Sequence, residues 1–192
     1  MRRHAAILAL LVAPALACEA QGGRPAAGTA AGTAAGTGTA TRQQPPASPR
    51  DTARGTVDGT SVLVDYGRPS KRGRTIFAAD GLAPYGKVWR TGANAATTLV
   101  TSGDLLVGDT RLPAGTYTLY TVPGPDQWQL VINRQTGQWG TVYDQSRDLA
   151  RVPMTVRALA APVEQFTVAV DGGALTMRWD TVEASVPLRA AR

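Results

Sequence analysis

From residue 61 to the C-terminus the chain keeps returning to one pattern: a short run of alternating apolar and polar residues, ended by glycine, proline or aspartate. Successive side chains of a strand point to opposite faces, so such a run buries one face and wets the other. Residues 61–66 put Val62, Val64 and Tyr66 on one face. Residues 97–101 are rich in threonine and valine, and residues 104–107 lead into Gly108-Asp109, a hairpin turn before Thr110-Arg111-Leu112. Residues 116–122 alternate after the turn Pro113-Ala114-Gly115, and residues 128–133 group Trp128, Leu130 and Ile132. Residues 154–156, 165–170, 174–179 and 181–188 complete the series, with Asp171-Gly172-Gly173 as a turn. Residues 142–150 are expected to form a helical turn or long loop, and Pro162 keeps the residue before it extended. Many short strands at spacings of about ten residues predict an all-β domain, either a single antiparallel β-sandwich or a partly closed barrel.

The chemistry open to this domain is narrow. The chain has one histidine, His4, and one cysteine, Cys18, both in its first eighteen residues. The remainder therefore lacks imidazole and thiol. Ser-His-Asp and Cys-His catalysis are excluded, because their nucleophiles lack the usual base. Zinc and copper sites are excluded too, since their ligand sets rest on His and Cys. One cysteine cannot form an intrachain disulfide. The patterns Ser-x-x-Lys and Gly-x-Ser-x-Gly are absent. No catalytic residue, metal or cofactor is expected. The formal charge of +6 misleads: from residue 51 onward 15 basic residues face 13 acidic ones, about +2. That balance does not suit nucleic acid, which is not expected as a partner.

Met1-Arg2-Arg3-His4 is a basic start, and residues 5–17 form an apolar run of thirteen. Such a run is too short to span a bilayer and suits the core of a secretory signal. Ala15-Leu16-Ala17-Cys18 resembles the cleavage box of bacterial lipoproteins, although leucine is usual where Ala15 stands. The resemblance implies that Cys18 becomes the lipidated first residue of the mature chain. An ordinary signal cleaved after Ala17, or slightly later, is the alternative. The first reading places a lipid-anchored protein at the periplasmic face of a bacterial membrane or at the cell surface; the second gives a soluble periplasmic or secreted one. Residues 18–50 then read as the lipidated cysteine plus a disordered Ala/Gly/Thr/Pro linker. Residues 21–49 hold no large apolar side chain, so burial cannot offset their conformational entropy. A flexible tether of that length spans roughly 30 Å. The β domain is expected over residues 51–192.

One stretch stands apart from the strands. It runs Tyr66-Gly67-Arg68-Pro69-Ser70-Lys71-Arg72-Gly73-Arg74-Thr75-Ile76-Phe77, then Leu82-Ala83-Pro84-Tyr85-Gly86-Lys87-Val88-Trp89-Arg90-Thr91-Gly92-Ala93-Asn94. Rigid glycine and proline punctuation is mixed with the aromatics Phe77, Tyr85 and Trp89. Residues 65–90 carry six basic side chains against Asp65 and Asp80, a local +4. With Leu112-Pro113-Ala114-Gly115-Thr116-Tyr117, residues 128–133 and Gln138-Trp139-Gly140, this stretch resembles the bacterial domain-of-unknown-function family 2911, from about residue 56 to 188. The resemblance implies an exported, mostly β protein and no particular activity. The chain departs from the family at Ala95, where glutamate is common, and at Ala83, where valine is usual. A glutamate at position 95 would matter if it paired with a nearby arginine.

Arginine presents a planar fork to carboxylate, sulfate or phosphate, and stacks on aromatic rings. Arg68, Arg74, Tyr85, Trp89, Arg90 and Asn94 are therefore the candidate ligand-binding residues, and Cys18 the lipidation site. The first expectation is a membrane-tethered binding module for a small polar or anionic ligand, a glycan or an envelope protein. It requires these arginines to converge on a concave site. The second is a structural envelope module, in which each arginine pins the fold through carbonyls and aspartates. The third is a histidine-independent hydrolase, which would add two aspartates or a Tyr–Asp pair in the pocket. The aspartates leave it open, whereas the glutamates of the domain, Glu164 and Glu183, lie outside the block. Asp144 and Asp148 read as loop carboxylates rather than a calcium site. Trp128 belongs to the core by its alternation, which makes Trp139 the better exposed aromatic for stacking.

Overall fold

Nine strands form within residues 46–191, the part of the chain that the computed structural model describes. They are β1 (Arg50–Val57), β2 (Thr60–Gly67), β3 (Thr97–Thr101), β4 (Leu105–Val107), β5 (Thr110–Leu112), β6 (Gly115–Val122), β7 (Gln127–Asn133), β8 (Asp148–Asp171) and β9 (Ala174–Ala190). A single 3-10 turn, Gln145–Arg147, precedes β8. The signal segment, Cys18 and the tether up to residue 45 lie outside the described residues.

The strands make one antiparallel sheet in the order β1-β2-β3-β6-β7-β8-β9-β4-β5, which is not closed into a barrel. The all-β expectation holds. Four of the predicted strands merge, however: residues 154–156 and 165–170 both belong to β8, and 174–179 and 181–188 both to β9. Each long strand stays paired through a bend. Between the pairs Ala158↔Val182 and Val163↔Asp180, β8 advances five residues while β9 retreats two. Extra residues on one strand bend it, and Asp180 takes φ 53° at the same place. Pro162, which cannot donate to a ladder, sits in the irregular stretch where no pairing is needed.

The bend turns the second half of β8 back toward β1 and β2. Gly55 marks the closest approach, since a Cβ there would run into the carbonyl oxygen of Val170. The segment leaving β2 docks on the same half of β8: Phe166 N donates to Pro69 O at 2.9 Å and Lys71 N to Glu164 O at 2.7 Å. Between the folded-over halves lies one core. Val62, Val64 and Tyr66 are buried together, as are Trp128, Leu130 and Ile132, the two faces that alternation predicts. Each such buried side chain contributes about 1.5–3 kcal/mol of transfer free energy. At one end an aromatic group gathers, in which Trp89 stacks on Trp179 at 5.6 Å and meets Phe166 edge-on at 5.1 Å.

β1 escapes the sequence pattern because Arg50, Asp51, Arg54 and Gly55 make it polar. It forms because Asp58-Gly59, at φ 48° and 86°, closes a two-residue hairpin onto β2.

Candidate ligand cleft beside Arg90

The arginine-rich stretch divides into two parts with different surroundings. The first part, around residues 68–74, is a strap bonded to the sheet beneath it. Arg68 donates to the Asp51 carboxylate (3.1 Å), to Phe166 O (3.3 Å) and to Thr167 Oγ1 (3.1 Å). Lys71 pairs with Asp180, and Arg72 N donates to Glu164 Oε1 at 2.8 Å. Arg74 closes its own loop, donating to Ser70 O at 2.6 Å and Lys71 O at 3.0 Å. Within the strap, side-chain donors therefore meet partners belonging to the fold, and Arg72 and Gly73 at φ 51° and 70° make its tight turn.

The second part reaches a cleft of about 280 Å³. Leu82, Pro84, Val88, Trp89 and Arg90 line it together with Tyr120, Gly140, Thr141 and Tyr143. Trp89 is held there by a two-way bridge to β6, N to Thr121 O at 2.7 Å and O from Thr121 N at 3.0 Å. It continues the place of β3 in the sheet beyond Thr97↔Leu119. The turn that follows is strained: Thr91 takes φ 53° and Asn94 φ 64°. For a β-branched threonine this is a costly conformation, and the surrounding bonds must impose it. Thr97 Oγ1 donates to Thr91 O at 2.6 Å, and Thr91 Oγ1 is 3.1 Å from Thr121 Oγ1. Gly140 lies flat over Arg90, since a Cβ on it would sit 2.9 Å from Arg90 Cδ and 2.8 Å from Asn94 O. Its own N–H donates to Asn94 O at 2.8 Å.

The polar groups of the cleft are unevenly committed. Tyr120 donates to Val142 O at 2.6 Å and accepts from Gln138 Nε2 at 3.1 Å. Tyr143 donates to Asp148 Oδ2 at 2.6 Å and accepts from Arg151 at 2.7 Å. Burial, with Asp148 adding to it, pushes the Tyr143 phenol up to about 12. Burial raises Tyr120 as well. Both phenols are thus proton-bearing and already bonded at neutral pH. Arg90 is different. Its Nε donates to Gly92 O at 3.1 Å, and its two terminal nitrogens have no partner among the described residues. The indole N–H of Trp89 is also buried without an acceptor among them.

Of the six residues expected to bind ligand, the cleft brings together Trp89 and Arg90. Asn94 adjoins it through Gly140, but its exposed amide turns to Ser48 O at 3.4 Å. Tyr85 is half-buried outside the lining. Arg68 and Arg74 belong to the strap and do not converge with Arg90. Trp128 is in the core at 2% exposure, and Trp139 stands out at 56%.

A family model described as Protein of unknown function (DUF2911) matches residues 48–188. The chain belongs to this family. No curated protein and no solved structure matches it. The span matched by the DUF2911 model takes in the strap, the lining of the cleft and Gln138-Trp139-Gly140. That last piece is the one sequence signal for the lining beyond Arg90; Tyr120 and Tyr143 are read from the sequence only as a strand residue and a loop residue. Arg50 donates to the Ala95 carbonyl at 3.3 Å while pairing with Asp65.

Asp144 and Asp148 serve their own loop. Asp144 accepts from Ser146 N at 2.9 Å, and Asp148 accepts from Asn133 as well as Tyr143. No group of three or more potential metal ligands occurs among the described residues. A larger hollow of about 590 Å³ lies along β1–β3, lined by Leu63, Val100 and Arg54 among others. It is the bigger space, but no aromatic borders it and Arg54 is exposed, whereas the smaller cleft sets half-buried Arg90 among Trp89, Tyr120 and Tyr143, so the convergent groups favour the smaller cleft.

Proposed function

We propose that this DUF2911 protein is an exported, lipid-anchored binding module of the bacterial envelope that holds a small anionic ligand in the cleft at Arg90. The observation that carries the ligand reading is the state of that guanidinium: half-buried in a cleft, fixed at Nε, and offering both terminal nitrogens without a protein partner. A paired fork of this kind suits a carboxylate or phosphate. The strained turn from Thr91 to Asn94 supports it, because strain concentrates where a fold holds a group in place for use. A hydrolase would need a free carboxylate, and the lining has none. The Tyr143–Asp148 pair that borders the cleft has its phenol held between Asp148 and Arg151. Export and anchoring are supported by the basic start, the apolar run and Cys18.

Two measurements test this. Anions that raise the melting temperature of the chain should lose that effect with Arg90→Gln, since a ligand stabilises only the state that binds it. Equal shifts in both proteins would remove the site. Metabolic labelling with a fatty acid should mark the chain in a bacterial host and not its Cys18→Ser variant; a labelled Cys18→Ser chain would remove the anchor.

A further inference from the structure

The lining of the cleft also restricts what kind of anion it can hold, an inference that rests on the reading above. A sugar acid or other polyol presents many hydroxyls, and each must find a partner when it leaves water. This cleft has few to give. The phenols of Tyr120 and Tyr143 are each already donating and accepting within the protein. Among the side chains that line it, Arg90 and Thr141 remain. The rest of the wall is the apolar surface of Leu82, Pro84 and Val88 and the rings of the aromatics.

The exposed surface points the same way. The large apolar side chains most exposed among the described residues are Val88, Val100, Trp139 and Val142. Three of these four belong to the cleft or adjoin it in sequence: Val88 lines it, Trp139 precedes Gly140, and Val142 lies between Thr141 and Tyr143. Exposed apolar groups gathered around a cleft mark a binding surface more than scattered ones do. The charge is complementary to an anion as well. Arg90 is the one charged residue of the lining, exposed Lys87 adjoins Val88, and Asp148 is neutralised by Arg151 at 3.2 Å.

We infer that the ligand is an amphiphilic monocarboxylate, with its carboxylate on the Arg90 fork and an apolar or aromatic body against Leu82, Pro84, Val88 and the exposed Trp139. The chemistry is shared by free aryl or alkyl acids and by a protein C-terminus ending in an apolar residue.

The test titrates the full chain with 4-phenylbutyrate, glucuronate and inorganic phosphate, following calorimetric heat and the indole N–H resonance of Trp139. The expected result is that 4-phenylbutyrate binds at least tenfold more tightly than glucuronate. Arg90→Gln should weaken it by about tenfold or more, with Arg90→Lys between, and Arg74→Gln should bind as the wild type. Trp139→Ala, at a side chain that is 56% exposed, should weaken 4-phenylbutyrate and leave phosphate unchanged. Arg90-dependent binding of glucuronate or phosphate that equals 4-phenylbutyrate would overturn the amphiphile and leave the anion site standing. Absence of any Arg90-dependent binding would overturn both. A peptide ending in Leu-Phe with a free carboxylate, compared with its amide, distinguishes the source. Binding of the free acid beyond that of 4-phenylbutyrate assigns a protein C-terminus, and binding at or below it assigns a small acid. An amide that matches the acid overturns the carboxylate contact.

Discussion

Arg68 and Arg90 come from one punctuated stretch of chain, and the fold uses them differently. Arg68 spends its donors on Asp51, Phe166 O and Thr167, all parts of the sheet. Arg90 uses Nε alone on Gly92 O and turns the rest of its guanidinium toward a cleft. Residue type and sequence company are much the same for both, so neither distinguishes a brace from a binding group. What distinguishes them is whether the geometry of the fold supplies acceptors. At the strap the bent half of β8 brings carbonyls and a hydroxyl within reach; at the cleft the N–H of Gly140 and the phenols of the two tyrosines are already bonded elsewhere.

Substitutions separate the two regions, beginning with the Trp89 ring. Trp89→Ala removes a core aromatic stacked on Trp179 and should cost about 3–5 kcal/mol in urea denaturation; a loss below 1 kcal/mol would mean that the indole is a surface group. Arg68→Ala should cost about 1–2 kcal/mol by the same measurement, because three acceptors lose their donor. Arg68→Lys should recover little, since one ammonium cannot reproduce the planar fork.

Glu183 extends the braced side. It is 5% exposed and bonded to both Arg157 and Arg178. The Arg157 hydrogen bond, with Arg178 assisting, holds its carboxyl below the ordinary range against the opposing effect of burial. A depressed folded pKa stabilises the fold above the unfolded value of about 4.3, and that stability is lost as pH falls through the folded pKa. Glu183→Gln should therefore cost on the order of 1 kcal/mol near pH 7 and flatten the decline of stability between pH 5 and the folded pKa. A decline as steep as that of the wild type would assign it to other carboxylates.

The smallest stability effect belongs to the cleft. Arg90→Gln should change stability by no more than about 0.5 kcal/mol, as for a side chain with one hydrogen bond to its own turn. A loss equal to that of Arg68→Ala would erase the difference between the two arginines and return the whole stretch to bracing.

Most of the fold was legible in the chain because alternation with period two is a local record of which face is buried. Val62, Val64 and Tyr66, and Trp128, Leu130 and Ile132, lie where the pattern places them. β1 was not legible, because its polar residues carry no such record; the Asp58-Gly59 turn was the available sign. The continuity of β8 and β9 was hidden for another reason. A bulge interrupts the alternation, so one bent strand reads as two. The cleft was half legible. Trp89 and Arg90 stand in a distinctive run, but Tyr120 and Tyr143 enter from β6 and from the loop before β8, and nothing local links them to Arg90.

An all-β domain, the lack of histidine and cysteine beyond residue 18, and the stretch in which the arginines and aromatics are concentrated can all be read along the chain before it folds. Those are properties of composition and of neighbours along the chain. The division of that stretch into strap and cleft was decided by tertiary structure alone. It depends on where the bend of β8 delivers hydrogen-bond acceptors, and an arginine becomes a brace or an open fork according to what lies across from it in space.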